Sequence, residues 1–239
     1  IDHNKTKFKN IKMIMSGGMQ MTDDTILQYK KYFPKSEIIN FYGCTENSPR
    51  ISHFHIKKFK RNFYNNWPVG KSLNGVKIKV LKNKNKKIGK ILISGSSLMR
   101  GYLKKPLLTK KKIINGWFDT GDLGYFNEKN FLILVGREDN SFRVGHEKLC
   151  PEEIEPIIKK KLNLQEVIVA KKKNSITDWE PVLAIKKRKN NLNVLKLKII
   201  LSKHLSNFKI PKGIHYFKQI PKTTYGKIDR KEINRLVNS

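Results

Sequence analysis

Acidic side chains are scarce in this sequence: 19 Asp and Glu stand against 51 Lys and Arg, a formal charge of +32. Arginine is scarce among the bases, at 8 against 43 lysines. Sequence-specific reading of nucleic acid leans on the bidentate guanidinium, and the lysines are spread along the chain rather than gathered in one stripe. A dedicated nucleic-acid reader is therefore disfavoured. Lys, Asn and Ile share A/T-rich codons, so a biased genome accounts for the charge, leaving only incidental adhesion to polyanions at low salt. Cysteine is nearly absent. Cys44 and Cys150 show no pairing pattern and no metal-ligand spacing, which argues against a disulfide framework and a zinc site and makes a reducing cytoplasm the expected setting. No run of roughly 18 apolar residues occurs, so no transmembrane helix is expected. No secretory leader is visible at the start. The first residue is Ile1 rather than Met, in the approach to a strand, and a fragment is the expectation.

What is present is enough to build cores: 239 residues with 38% hydrophobic side chains, above what a disordered chain shows. Lys12–Ser16 has the short apolar texture of a buried strand and stops at Gly17-Gly18. Thr22 then caps a helix with Asp23 and Asp24 in its first turn, Ile26, Tyr29 and Phe33 on its apolar face, and Pro34 at its end. A second strand spans Glu37–Phe41. Strand, helix, strand suggests the end of a larger mixed α/β sheet. From Gly75 to Arg137 short strands alternate with turns, at Val76–Leu81, Lys90–Ser94, Trp117-Phe118, Leu123–Phe126 and Phe131–Val135, with Asn83–Lys87 as a polar hairpin loop. This predicts a small β subdomain.

Past Arg137 the pattern changes again. Pro151 opens a helix with Glu152 and Glu153 in its first turn and Ile154, Ile157, Ile158 and Leu162 on one face. Strands are expected at Glu166–Ala170 and Pro181–Ile185. Val194, Leu197, Leu201 and Leu205 mark another helix. Asp229 caps a last one, with Glu232 completing a capping box and Ile233, Leu236 and Val237 facing inward. The fold class expected is α/β and α+β: residues 1–138 as the remainder of a large α/β domain with its β subdomain, and residues 139–239 as a C-terminal α+β domain.

Four blocks in order carry the chemistry: Asn40-Phe-Tyr-Gly-Cys-Thr-Glu46; Gly116-Trp-Phe-Asp-Thr-Gly-Asp-Leu-Gly124; Gly136-Arg-Glu-Asp139, running on to Pro151-Glu-Glu-Ile-Glu155; and Pro221-Lys-Thr-Thr-Tyr-Gly-Lys-Ile-Asp-Arg230. Alone, each has a bland reading as a turn or a solvated ion pair. Together, in this order and spacing, they resemble the adenylate-forming (AMP-binding) superfamily: acyl-CoA synthetases, luciferase-like enzymes and carrier-loading adenylation domains. The resemblance runs from Gly17-Gly18 to Asp229-Arg230. Gly89 to Gly101-Tyr102 resembles a further segment of that family.

The resemblance implies a two-step ligase that joins a carboxylate to the α-phosphate of ATP and then passes the acyl group to a thiol, of CoA or of phosphopantetheine. It implies a nucleotide site made by Gly17, Gly18, Tyr42, Gly43, Thr45, Asp122 and Arg137, with Tyr42 against the adenine and Asp122 at the ribose. Glu46 would hold Mg²⁺, as hard cations prefer carboxylate oxygen. Thr45 would offer its hydroxyl to the phosphate. Lys227 would stabilise charge developing at the α-phosphate. Asp139 would be the hinge of a mobile C-terminal domain, and the loop holding Gly145 and His146 would line the thiol's path. An acyl-CoA synthetase of fatty acid metabolism is the simplest such enzyme.

Four positions depart from the family pattern. Lys90 stands where Glu is usual, Arg143 where Lys is usual, and His146 and Trp179 where Gly is usual; a slip of one residue in the loop would put Gly145 in place of His146. The Ser/Thr/Gly-rich loop whose amides cradle the ATP phosphates does not occur in the 239 residues. A non-catalytic remnant, or a subunit needing a partner chain, is the rival expectation.

Overall fold

The computed structural model describes residues 8–56, 66–82, 87–187, 192–224 and 226–239. Residues 83–86 of the expected hairpin loop and Tyr225 of the fourth block lie outside the described residues. The chain divides into two compact units, Ile1–Val135 and Gly136–Ser239.

In the first unit β1 (Met13–Ser16) leads through α1 (Asp23–Tyr32) to β2 (Glu37–Tyr42), which lies parallel to β1. The Thr22 hydroxyl accepts from the Thr25 amide at 3.2 Å, satisfying one free donor at the helix start. Ile26 of α1 is fully buried with Met21, Ile38, Ile56 and Trp67. Trp67 also donates its indole N–H to Asp23 at 2.8 Å. Phe33 is the C-cap residue of α1 rather than part of the helix. Two strands not expected from the sequence, β3 (Ser52–His55) and β4 (Lys71–Ser72), complete a four-stranded sheet in the order β1-β2-β3-β4.

A second sheet follows: β5 (Val76–Leu81), β6 (Gly89–Gly95), β7 (Ile113–Ile114), β8 (Trp117–Phe126) and β9 (Leu132–Arg137), in the order β5-β6-β8-β7 with β9 on β8. The two strands expected at 117–118 and 123–126 are one strand. The Thr-Gly-Asp tripeptide between them has the residue types of a turn, yet the chain runs through it with a register shift opposite Lys90 and Leu92. A short helix, α2 (Pro106–Lys112), precedes β7. Tyr42, Ile51, Val69, Ile91, Ile93, Phe118 and Leu132 form one core, which joins the end of the first sheet to the second.

The second unit opens with a hairpin, β10 (Phe142–Val144) and β11 (Glu147–Leu149), that the sequence did not announce. Then come α3 (Pro151–Lys161), β12 (Ile168–Asn174), β13 (Asp178–Lys186), α4 (Val194–Ser202), β14 (Gly213–Phe217) and α5 (Arg230–Val237). β13 is antiparallel to β12 and parallel to β14. The run Val182–Ile185 is buried on both sides. Leu183 and Ile185 pack with α3 and α4; Val182 and Ala184 pack with α5. A strand covered on both faces is apolar throughout, which is why this one does not alternate. Asn193 caps α4, accepting from Leu195 and Lys196. Leu205, expected on its face, lies beyond its end but still packs on the core.

The capping box expected at the last helix is also corrected. Asp229 accepts from the Glu232 amide at 3.0 Å, but the reciprocal half of the capping box is missing. The Glu232 carboxylate is bonded to Arg235, and the Asp229 amide donates to the Pro221 carbonyl.

Candidate active site

The parallel pairing of β1 and β2 brings two of the motifs together. Ser16 lies beside Asn40, so Gly17-Gly18 leaves one strand beside the exit of Tyr42-Gly43 from the other. Carboxyl ends of parallel strands are the usual place for ligands in open α/β sheets. A side chain at Gly17 would strike the Phe41 ring, 2.5 Å from a built Cβ. Gly43 is tighter still: a Cβ there would sit 1.7 Å from the Pro49 carbonyl oxygen. Only glycine lets the 43–50 loop fold back on itself and hold the Thr45–Asn47 turn at the strand end.

Tyr42 is buried, and its hydroxyl donates to Asp122 Oδ2 at 2.5 Å. This bond joins the first block to the second across 80 residues of chain. Burial, then the Asp122 charge, pushes the Tyr42 phenol far above its ordinary range. Asp122 itself is fixed by its amide, which donates to Thr120 Oγ1 at 3.1 Å; that hydroxyl in turn donates to the Ile91 carbonyl at 2.9 Å. The Asp119 carboxylate accepts from the Gly121 amide, so it holds the bend in β8.

Glu46 lies in the turn after β2, and Thr45 beside it is exposed. Tyr102 donates its hydroxyl to Glu46 Oε1 at 2.8 Å. Burial, and then that hydrogen bond, pushes the Tyr102 phenol up to about 12. The Met99 amide donates to the Glu46 carbonyl at 2.8 Å, so the 99–102 segment grips the turn at two points. Tyr102 is held in turn by its own amide, which donates to Thr109 Oγ1 at 2.9 Å. Tyr102 was missing from the expected site. The Gly101-Tyr102 pair was visible as a motif; its contact with Glu46, 56 residues away, was not. Cys44, half-buried beside Glu46, has its thiol pushed up to about 11 by burial and then by the Glu46 charge.

The other expected residues belong to the second unit. Arg137 donates from Nη2 to Asp139 Oδ2 at 3.4 Å, and both side chains are exposed. Gly145 and His146 form the exposed tip of the β10–β11 hairpin, with Gly145 in the left-handed region at φ +59°. The Gly145 amide donates to the Thr177 carbonyl at 3.0 Å. Lys227 is exposed on a small hairpin closed by the Lys222–Ile228 bridge and by the Thr223 amide donating to the Lys227 carbonyl at 2.7 Å. Among the described residues no three His, Cys, Asp or Glu side chains gather as a metal site.

The model of the AMP-binding enzyme family matches residues 2–103. The 2-succinylbenzoate–CoA ligase of Listeria monocytogenes is 29% identical over 231 residues, covering 97% of this chain and 47% of the relative. The long-chain-fatty-acid–CoA ligase of Haemophilus influenzae is 26% identical, covering 94% of this chain and 40% of the relative. The fold is that of o-succinylbenzoate CoA synthetase from Bacillus subtilis, solved with its acyl-adenylate intermediate: TM-score 0.80 over 95% of this chain and 47% of that one, at 21% identity. Residues 2–103 thus match the AMP-binding enzyme family, and the likeness to adenylate-forming CoA ligases runs over nearly the whole chain. The chain spans about half the length of the curated relatives it matches. Gly17, Gly18, Tyr42, Gly43, Thr45, Glu46 and Asp122 collect at one end of the first unit. Arg137, Asp139, Gly145, His146 and Lys227 lie in the second.

Proposed function

We propose that this chain carries the ribose, metal and lysine groups of an ATP-dependent acyl-AMP-forming ligase that passes its acyl group to a thiol. In the first step a substrate carboxylate oxygen attacks the α-phosphorus of ATP and pyrophosphate leaves. In the second a thiol sulfur attacks the acyl carbonyl, AMP leaves and the thiol proton is released to solvent. The Tyr42–Asp122 bond is the observation that carries the reading. It fixes the Asp122 carboxylate, a group able to accept from ribose hydroxyls, beside the strand end where Gly17 and Gly18 give the backbone room.

Glu46 is a fitting ligand for Mg²⁺. A single carboxylate, with water and phosphate oxygens supplying the rest, is how this cation is usually held. Mg²⁺ there would neutralise phosphate charge. Tyr102 already fixes one oxygen of that carboxylate, leaving the other for the ion. Lys227, on its exposed hairpin, supplies the cation for the α-phosphate, and Asp139 serves as the hinge between half-reactions. CoA is the simpler acceptor, on the strength of the relatives' names.

The test is AMP binding to the 239-residue chain by calorimetry, with Asp122→Ala and Tyr42→Phe compared. Asp122→Ala should weaken AMP by about 10–100-fold, the usual worth of a hydrogen bond to a charged group. AMP binding unchanged in Asp122→Ala sinks the assignment. ATP–pyrophosphate exchange by this chain, read with and without Lys227→Ala, separates ligase from remnant. A loss of about 10²–10³ is expected for that substitution if the chain turns over.

A further inference from the structure

Arg230 opens α5 three residues after Lys227, and its side chain points away from solvent into α3. Nη1 donates to Glu155 Oε1 at 2.9 Å and Nη2 to Glu155 Oε2 at 2.7 Å, a two-pronged pair. Nε lies 3.6 Å from Glu152 Oε1. The three side chains are only 18%, 13% and 16% exposed. Both carboxylates have further bonds. Glu155 Oε1 accepts from the Val169 amide of β12 at 2.7 Å. Glu152 Oε1 accepts from the Asn140 side chain, one residue past Asp139. One guanidinium thus ties the foot of the Lys227 hairpin to α3, to β12 and to the 138–140 turn.

A buried ion pair is weak evidence for stability, because desolvation offsets much of the attraction. Its firmer consequence is geometric. Two parallel N–H···O bonds fix direction as well as distance, and a lysine delivered to a reacting phosphate must be held to within about 0.5 Å by what surrounds it. The Lys227 side chain is free to extend into solvent while its backbone is pinned at Asp229, whose amide donates to the Pro221 carbonyl at 3.0 Å, and at Arg230. We infer that Arg230 is a positioning residue: its clamp on Glu155 and Glu152 fixes the Lys227 hairpin to the 138–140 turn, so that hairpin and turn move as one piece. This rests on Lys227 and Asp139 having the roles proposed above. In that scheme any rotation begun at Asp139 reaches Lys227 through Asn140, Glu152 and Arg230.

The experiment is amide hydrogen exchange on the full 239-residue chain, with a thermal melt alongside. Arg230→Gln should raise exchange at Thr223 and Gly226 by tenfold or more relative to Leu183 in β13, and raise it at Ser141 as well. Arg230→Lys keeps a cation but loses the two-pronged bond. It should recover most of the melting temperature and leave the hairpin loose. Arg235→Gln, which breaks an exposed pair on the same helix, should change neither. Exchange rising equally at the hairpin and at Leu183 would mean a loss of general stability only, and overturns the inference. So does a hairpin that stays protected in Arg230→Gln. If that variant does not fold, Glu152→Gln decides. It should loosen Ser141 while Thr223 stays protected, and the reverse pattern overturns the link to the turn. AMP binding by the unaltered chain is scored separately. Its absence removes the functional reading and leaves the clamp to be judged on exchange alone.

Discussion

The second unit buries its three-stranded sheet on both faces; the first leaves apolar residues of its first strand in water. β13 has α3 and α4 against one side and α5 against the other, and Leu183 and Ala184 are fully buried. β1, by contrast, pairs with β2 alone among the described residues, and Met13 and Met15 on it are exposed at 50% and 38%. The difference teaches that two units of one chain need not be equally self-sufficient. A sheet stands alone when both of its apolar faces are covered and its edges are closed.

Separating the units is the largest test of that contrast. Residues 136–239 should express as a soluble domain with a single cooperative melt. Residues 1–135 should aggregate, driven by the edge of β1 that has no partner strand among the described residues and by its exposed methionines. A monomeric, well-dispersed NMR spectrum from 1–135 would break the comparison. Single substitutions sharpen it. Leu183→Ala removes a fully buried side chain and should cost about 2–5 kcal/mol in denaturant unfolding. Met13→Ala, on the open face, should stay within about 0.5 kcal/mol.

The same contrast governed what could be read from sequence. The helices of the second unit carry their ends openly: Pro151 with two glutamates, Asp229 with its amide bond, an apolar stripe on each. β13 was legible because both faces are apolar. β3, β4, β7, β10 and β11 were not, since two to four residues of mixed polarity carry no period. β8 was read as two pieces because Thr-Gly-Asp has turn chemistry, and only pairing with β6 overrides it. At the site, Tyr42, Glu46 and Asp122 were legible singly through the resemblance. Their pairing was not, because contacts between residues 56 and 80 apart leave no mark on local pattern.

The two cysteines extend the comparison to pH. Cys150 is buried, and burial followed by the Glu152 charge pushes its thiol up to about 12 from an ordinary 9.0. Cys44, half-buried in the first unit, reaches about 11. A raised thiol keeps its proton in the folded state while the unfolded chain loses it. Stability is therefore unaffected below pH 9 and falls as pH rises from there toward 12 for Cys150, at roughly 1.4 kcal/mol per pH unit. Cys150→Ser should flatten that alkaline decline by about this slope in unfolding titrations. Cys44→Ser should flatten it less, over the shorter window and with water screening the half-exposed thiol. Equal effects would erase the distinction.

The smallest expected effect sets two tyrosine–carboxylate bonds of the first unit against each other. Tyr42 reaches Asp122 at 2.5 Å and Tyr102 reaches Glu46 at 2.8 Å. The chemistry is the same and the burial is not: Tyr42 is 6% exposed, whereas Tyr102 lies nearer the surface. Removing the Tyr42 hydroxyl takes a donor from Asp122 at the buried end of the Tyr42 ring, where water enters poorly. Removing the Tyr102 hydroxyl leaves a carboxylate oxygen that water can serve. Tyr42→Phe should therefore cost about 1.5–3 kcal/mol and Tyr102→Phe about 1 kcal/mol or less. Double-mutant cycles with Asp122→Asn and Glu46→Gln isolate each bond from the rest of the fold. The Tyr42–Asp122 coupling should exceed the other by about 1 kcal/mol, for the charge-assisted bond is strongest where the local dielectric is low. Couplings of equal size would mean that the burial of Tyr42 adds nothing to the bond that fixes Asp122, and the observation on which the ribose assignment leans would then be no stronger than the Tyr102–Glu46 contact.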